Sequence, residues 1–196
     1  MTLTELTDAV AELTNRPDLT ALTLQTVKSS TLKAHQSDYY PKDLYESGVD
    51  FGASAYFQSF AYRDVLPRWR ASKFFRKYDA TLESAGEFFK LITPEQVLDG
   101  YNIAREDVYY LAGDVFQFRS ATEFQYALMG CYLNPDIADA TFTSWVALDS
   151  PYAIVYDAAA VIFKAIGKDE EAAVYKQLVA EQYALLRNSN ILANGW

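Results

Sequence analysis

The sequence predicts an α+β fold: a helical bundle made by N- and C-terminal helices, with an inserted antiparallel β-sheet region. Two observations predict it. Apolar residues recur at three- and four-residue spacing near both ends of the chain, whereas aromatic and small residues alternate in the middle. Proline and glycine stand where the period changes. The expected layout is a single domain over 1–196, with a helical body over 1–40 and 143–190, a β-rich insertion over 44–133 and a C-terminal tail over 191–196.

Each element has a local reason. Thr2 and Glu5 stand at capping-box spacing ahead of the stripe Leu3, Leu6, Val10 and Leu13. Pro17 suits the first turn of a second helix, from about Asp18 to His35, whose many Thr and Ser residues offer a small polar face to another helix or subunit. Tyr39-Tyr40-Pro41 ends it, because a residue before proline avoids the helical region. Leu44 to Tyr62 reads as a long strand or strand pair, and Ala71 to Tyr78 as another. Leu82 to Glu87 reads as a loop, Phe88 to Ile92 as a short strand, and Thr93-Pro94-Glu95-Gln96 as a helix start. Val108–Leu111, Val115–Arg119 and Phe124–Leu133 form an antiparallel meander, with Ala112-Gly113-Asp114 and Ser120-Ala121-Thr122 as hairpin loops. Pro151 then opens a helix apolar on almost every side, the most buried one. Gly167 ends it. The last helix starts near Asp169, with a stripe of Val174, Leu178, Val179, Gln182, Leu185 and Leu186.

Composition narrows function. There are 26 acidic against 17 basic residues, a net charge of −9, which opposes uniform binding to DNA or anionic lipid. A single cysteine, Cys131, cannot form an internal disulfide, and a single histidine, His35, excludes a site needing two imidazoles. Cys131 reads as a small buried residue and His35 as a helix-terminal residue near the last carbonyls. Asp136 with Asp139, and Glu106 with Asp107, fit no calcium-loop pattern, and no glycine-rich phosphate loop occurs. No catalytic, cofactor-binding or metal residue is therefore assigned, and no cofactor is expected. The opening Met1-Thr2-Leu3-Thr4-Glu5 lacks a signal-peptide pattern, and no apolar run is long enough for a bilayer. Synthesis and retention in a cytoplasm, or release by lysis, is the expectation, with no membrane partner.

One charge anomaly stands out. Arg63, Arg68, Arg70, Lys73, Arg76 and Lys77 crowd one stretch, interleaved with Trp69, Phe74, Phe75 and Tyr78, and only Asp64 opposes them. In a protein of net negative charge such a ribbon suits an acidic protein neighbour better than nucleic-acid phosphate. A solvated edge strand carrying protective charges is the plain alternative. Arg68, Trp69 and Arg70 are the expected protein interface.

The layout resembles the head-to-tail adaptor (connector) proteins of tailed bacteriophages, especially the short-tailed ones. The stretch from Thr31 to Leu44, Thr-Leu-Lys-Ala-His-Gln-Ser-Asp-Tyr-Tyr-Pro-Lys-Asp-Leu, looks like their helix-to-strand passage. Pro151 to Gln182 resembles their closing pair of helices, alanine-rich then acidic. The resemblance implies a virion structural protein without catalytic residues, made in the host cytoplasm and placed at the head–tail junction. Its copies would form a dodecameric ring that joins the portal protein to tail or nozzle proteins. DNA would pass through the channel without specific binding. In such adaptors the C-terminal segment commonly engages the portal, which here points to Ile191, Leu192 and Trp196. Two other readings stay open: a tail-completion or other phage neck or tail protein, and an aromatic-rich carbohydrate-binding module or small glycosidase, for which exposed tyrosines and Trp145 in a groove would speak.

Overall fold

In the computed structural model of the chain, residues 1–79, 84–98 and 106–194 are described. They divide into two compact units, 1–43 with 134–196 and 44–133.

The first unit is helical. Helix α1 (Leu3–Thr14) has the predicted capping box: Thr2 Oγ1 accepts from the Glu5 amide, and the Thr2 amide donates to the Glu5 carboxylate. Helix α2 (Thr20–Gln36) follows a single 3-10 turn at Pro17–Leu19. Its buried face is polar and small: Thr23, Thr26, Ser30, Thr31 and Ala34 surround Val27. Thr26 and Thr31 donate their hydroxyls to carbonyls one turn back, so these oxygens are buried without loss of hydrogen bonding.

The remaining helices of this unit, whose labels continue after two in the other unit, come from the chain's last third. Helix α5 (Trp145–Asp149) is short and capped by Ser144; helix α6 (Pro151–Ala165) begins with proline in its first turn. Nine residues of α6 are buried, four of them alanines, and this slender helix meets α1, α2 and the last helix, α7 (Asp169–Asn194). Its one buried charge, Asp157, accepts from Ser30 Oγ at 2.8 Å and pairs with Lys33. On α7 the buried positions Ala172, Val179, Leu186 and Asn190 recur at four and seven residues. Val174 and Leu185 of the expected stripe face outward instead.

The second unit is a sheet. Strand β1 (Leu44–Ala61) is followed by one helical turn, α3 (Tyr62–Val65), and by β2 (Trp69–Asp79). Then come β3 (Ser84–Phe88), β4 (Lys90–Leu91), α4 (Pro94–Leu98), β5 (Val108–Ala112) and β6 (Val115–Leu133). The path runs β3-β2-β6-β5-β4, with β1 on the other edge of β6. Phe75, Phe89, Tyr109, Phe116, Phe118, Phe124 and Met129 fill its interior, and Phe75 meets Tyr109, Phe116 and Phe118 edge-on at 4.9 Å. Edge-to-face rings satisfy the aromatic quadrupole while burying a large area.

Several expectations are corrected. The chain is α+β, but it is not a terminal helical bundle with an inserted antiparallel sheet. Helices are spread along the chain, α3 and α4 between strands, and the sheet is mixed and nearly closed like a barrel. β4 lies parallel to β5, with α4 following β4 along the chain. The expected loop at 120–122 is absent as a chain reversal: β6 is one strand of 19 residues. Ser120 there donates to the Thr122 carbonyl at 2.5 Å and accepts from its amide, an irregularity that the strand runs through. Ser84–Phe88 pairs with β2 instead of looping, and α7 continues through the expected tail to Asn194.

Gly130 on β6 is required by a close approach. A Cβ there would stand inside the Phe74 ring, which crosses it from the neighbouring strand. Gly130→Ala should therefore cost about 1–3 kcal/mol by overpacking, with part of that loss recovered by adding Phe74→Ala; urea denaturation of the three proteins checks it. Cys131, next along the strand, is fully buried, and burial pushes its thiol up to about 11. The unfolded chain loses that proton at lower pH than the folded one. Stability from this group is thus intact below the unfolded pKa and falls as pH rises through about 11. A Cys131→Ala protein should lose less stability between neutral pH and pH 11, measured by denaturant midpoints, and the native thiol should resist alkylation at neutral pH.

Candidate functional site

Two sites emerge, one in each unit. In the helical unit, His35 is buried at the end of α2 and is held on both ring nitrogens. Its Nδ1 lies 2.7 Å from Asp43 Oδ1 and its Nε2 lies 2.8 Å from Ser144 Oγ. Asp43 Oδ1 also accepts from the Trp145 indole at 2.7 Å. The Trp145 ring stands edge-on to His35 at 5.4 Å and to Tyr40 at 5.0 Å, with the Lys42 ammonium 5.2 Å from its centroid. With Nδ1–H donated to the carboxylate, Nε2 accepts the Ser144 hydroxyl proton.

This is the connectivity of a nucleophile–base–acid relay. Its serine is otherwise employed. Ser144 Oγ accepts from the Ala147 amide at 3.1 Å as the N-cap of α5, and the residue is 8% exposed. The hydroxyl thus contacts both the His35 ring and the Ala147 amide, and the arrangement ties the end of α2, the turn at Pro41 and the start of α5 together. His35 stands in the last turn of α2, as expected, and its ring nitrogens there meet the side chains of Asp43 and Ser144. The sequence carries almost no sign of this, since 109 residues separate His35 from Ser144. The weak signal is Asp43, just past the proline turn. Trp145 is half-buried and belongs to the same network through its indole N–H.

In the sheet unit, the expected interface residues begin β2. Arg68 is exposed; Trp69 and Arg70 are half-buried. The Trp69 ring lies 4.2 Å from Tyr62 and 5.8 Å from Phe116, so much of it forms the rim of the aromatic core. Two register irregularities interrupt the β2–β6 ladder, between Trp69 and Ala71 and between Ser72 and Phe74. The residues skipped are Arg70 and Lys73. Bulges of this kind bend a strand and re-aim side chains, often at functional edges. Further along, Lys77 is paired with Asp107 at 2.8 Å and Arg76 donates to the Gly86 carbonyl at 2.6 Å, so the rest of the basic run is used inside the sheet.

The other assigned residues are placed as follows. Ile191 and Leu192 lie in the last turns of α7, and Trp196 lies outside the described residues. Asp139 pairs with Lys28 at 2.5 Å, Asp136 accepts from the Ala138 amide and the Thr141 hydroxyl, and Glu106 faces Lys90 at 3.6 Å. Among the described residues no group of three or more His, Cys, Asp or Glu side chains converges as a metal site would require.

His35→Ala should destabilise the helical unit by about 3 kcal/mol, because it strips a buried carboxylate and a buried hydroxyl of one partner each. Thermal unfolding followed by far-ultraviolet circular dichroism reads the loss. No protein-family model matches the chain, and no curated protein is significantly similar to it.

Proposed function

We propose that this chain is a virion structural protein, a head-to-tail adaptor whose copies form a ring between portal and tail and extend the DNA channel. The observation that carries the reading is uncovered apolar surface on both units. In the sheet unit Tyr56, Phe57, Phe88 and Leu91 are about half or more exposed, at 48%, 52%, 58% and 63%. In the helical unit Leu148, Val174 and Leu185 are exposed at 73%, 59% and 62%. Large apolar side chains left in water on each unit suit a chain that acts by being covered. A closed ring of more than two copies needs two different patches on each copy, because one patch meets a different one on its neighbour.

The resemblance in the stretches from Thr31 to Leu44 and from Pro151 to Gln182 supports the same reading, and the net charge of −9 suits a channel that must not hold DNA by its phosphates. The portal protein is the partner proposed for the C-terminal segment with Ile191, Leu192 and Trp196, and Arg68, Trp69 and Arg70 belong to a protein interface.

The test is assembly. The purified chain, alone or with portal rings, should form a closed ring countable by native mass spectrometry, and electron microscopy of particles should place it as a collar below the capsid vertex. Arg68→Glu with Arg70→Glu should lower ring yield while leaving the circular dichroism spectrum unchanged. A sixfold plug lower in the tail would replace this reading with a tail-completion role. A persistent monomer in the presence of portal would end it.

A further inference from the structure

One outer face of the sheet unit carries a single ion. On β6, Phe116 and Phe118 are buried in the interior, so alternation puts Val115, Gln117 and Arg119 on the outer face. Residues paired directly across an antiparallel ladder share a face. Phe57, Arg119 and Val108 therefore form one outer row from β1, β6 and β5, and Ser59, Gln117 and Tyr110 form the next. The third row holds only alanine and valine. None of these side chains is buried, and Phe57 is exposed. An antiparallel sheet with one face in water normally alternates apolar inside with polar outside, and this face departs from that pattern.

Its ion is Arg119, whose guanidinium carbon lies 5.2 Å from the centroid of the Phe57 ring. Arg63, Lys77 and Lys90 of the same unit have carboxylates of their own, from Asp114, Asp107 and Glu106. Among the described residues Arg119 has none. A half-buried guanidinium beside an aromatic ring is an anchor of the kind that protein contacts use, and a carboxylate is its matching group. One cation is not the cluster that a phosphate backbone requires, so the face does not suit nucleic acid.

The helical unit carries the converse surface. On α7, Val174, Leu178, Glu181 and Leu185 recur at three and four residues and fall on one stripe. Val174 and Leu185 are exposed. Glu181 between them is exposed too, and has no partner among the described residues. The cations of α7, Lys176 and Arg187, stand about 160° round the helix from Val174 and Leu185, away from the stripe.

The two surfaces match in kind and in extent. Each is apolar around one ion, and the ions are of opposite sign. Phe57 to Ala61 spans about 13 Å along β1, and β1 to β5 spans about 10 Å across β6. Val174 to Leu185 spans about 17 Å of helix. A helix laid on a sheet is one of the few stable ways to bury two such faces. Because the matching surfaces are different patches of one chain, contact between copies through them is head-to-tail, as a closed ring needs.

Resting on the ring reading above, we propose that the α7 stripe of one copy packs on the β1–β6–β5 face of the next copy, with Glu181 paired to the neighbour's Arg119. Phe57, Val174 and Leu185 are covered in that contact, and the ion pair fixes its register.

Two variants test it, Arg119→Glu and Glu181→Arg. Each alone brings like charges together at every contact, and each should need at least about tenfold more protein to form rings than the unmodified chain. An equimolar mixture of the two should recover ring formation, with native mass spectrometry showing the two masses in alternation. Recovery on mixing requires contact between different chains and cannot come from misfolded ones. Matched thermal midpoints check folding separately, and Glu181 stands on an exposed helix face where its replacement leaves the fold intact. If the unmodified chain forms rings and Glu181→Arg assembles like it, or the mixture of folded variants fails to recover, this contact is wrong while the ring stands. If the unmodified chain forms no ring, with or without portal, the ring reading fails and this contact with it.

Discussion

Strand β6 is the constraint on which the sheet unit depends. It must supply backbone partners on both edges while carrying Phe116, Phe118, Phe124 and Met129 into one interior. A strand that pairs with β5 early, β2 late and β1 on its other edge cannot lie flat, because strand twist accumulates over its length. It bends, and the irregularities near Ser120 and opposite Arg70 and Lys73 are where the ladder yields. The aromatic richness of the sequence follows from this geometry. A nearly closed sheet with few strands has a narrow interior, and interlocked edge-on rings fill it with few residues.

What the sequence made legible was local. The capping box at Thr2 and Glu5, the proline in the first turn of α6 and the Ala112-Gly113-Asp114 turn are each decided within a few residues, and each stands where it was expected. What failed was decided at long range. Ser120-Ala121-Thr122 has the composition of a turn, yet β1 pairs along β6 on both sides of it and holds the strand through. The parallel β4–β5 pairing joins residues some eighteen positions apart, and no local window of sequence contains it. The outward Val174 and Leu185 show the same limit on α7: apolar spacing marks a stripe but not how much of it a neighbouring helix covers.

The sites divide in the same way. The basic run around Arg68 to Lys77 was visible as a density of like charge, and its position on β2 follows from alternation. That part of it is consumed inside the sheet, by Asp107 and the Gly86 carbonyl, is a fact of tertiary structure. The network of His35, Asp43 and Ser144 lay beyond reach, since a lone imidazole in a helix is compatible with many surroundings.

The thinness of the side chains between α2 and α6 has a thermal consequence. The buried face of α2 is rich in threonine and serine and that of α6 in alanine; Thr26 and Thr31 bond within their own helix, and Ser30 bonds across to Asp157. The core of this unit is aliphatic, with Leu6, Val10, Val27, Ile154, Val155, Ile162 and Leu186, whereas that of the sheet is mostly aromatic. Heat-capacity increments scale with exposed hydrocarbon, so both cores contribute to the curvature of the stability curve. Cooling weakens hydrophobic cohesion in aliphatic and aromatic cores alike, while the Ser30–Asp157 bond between α2 and α6 is of another kind.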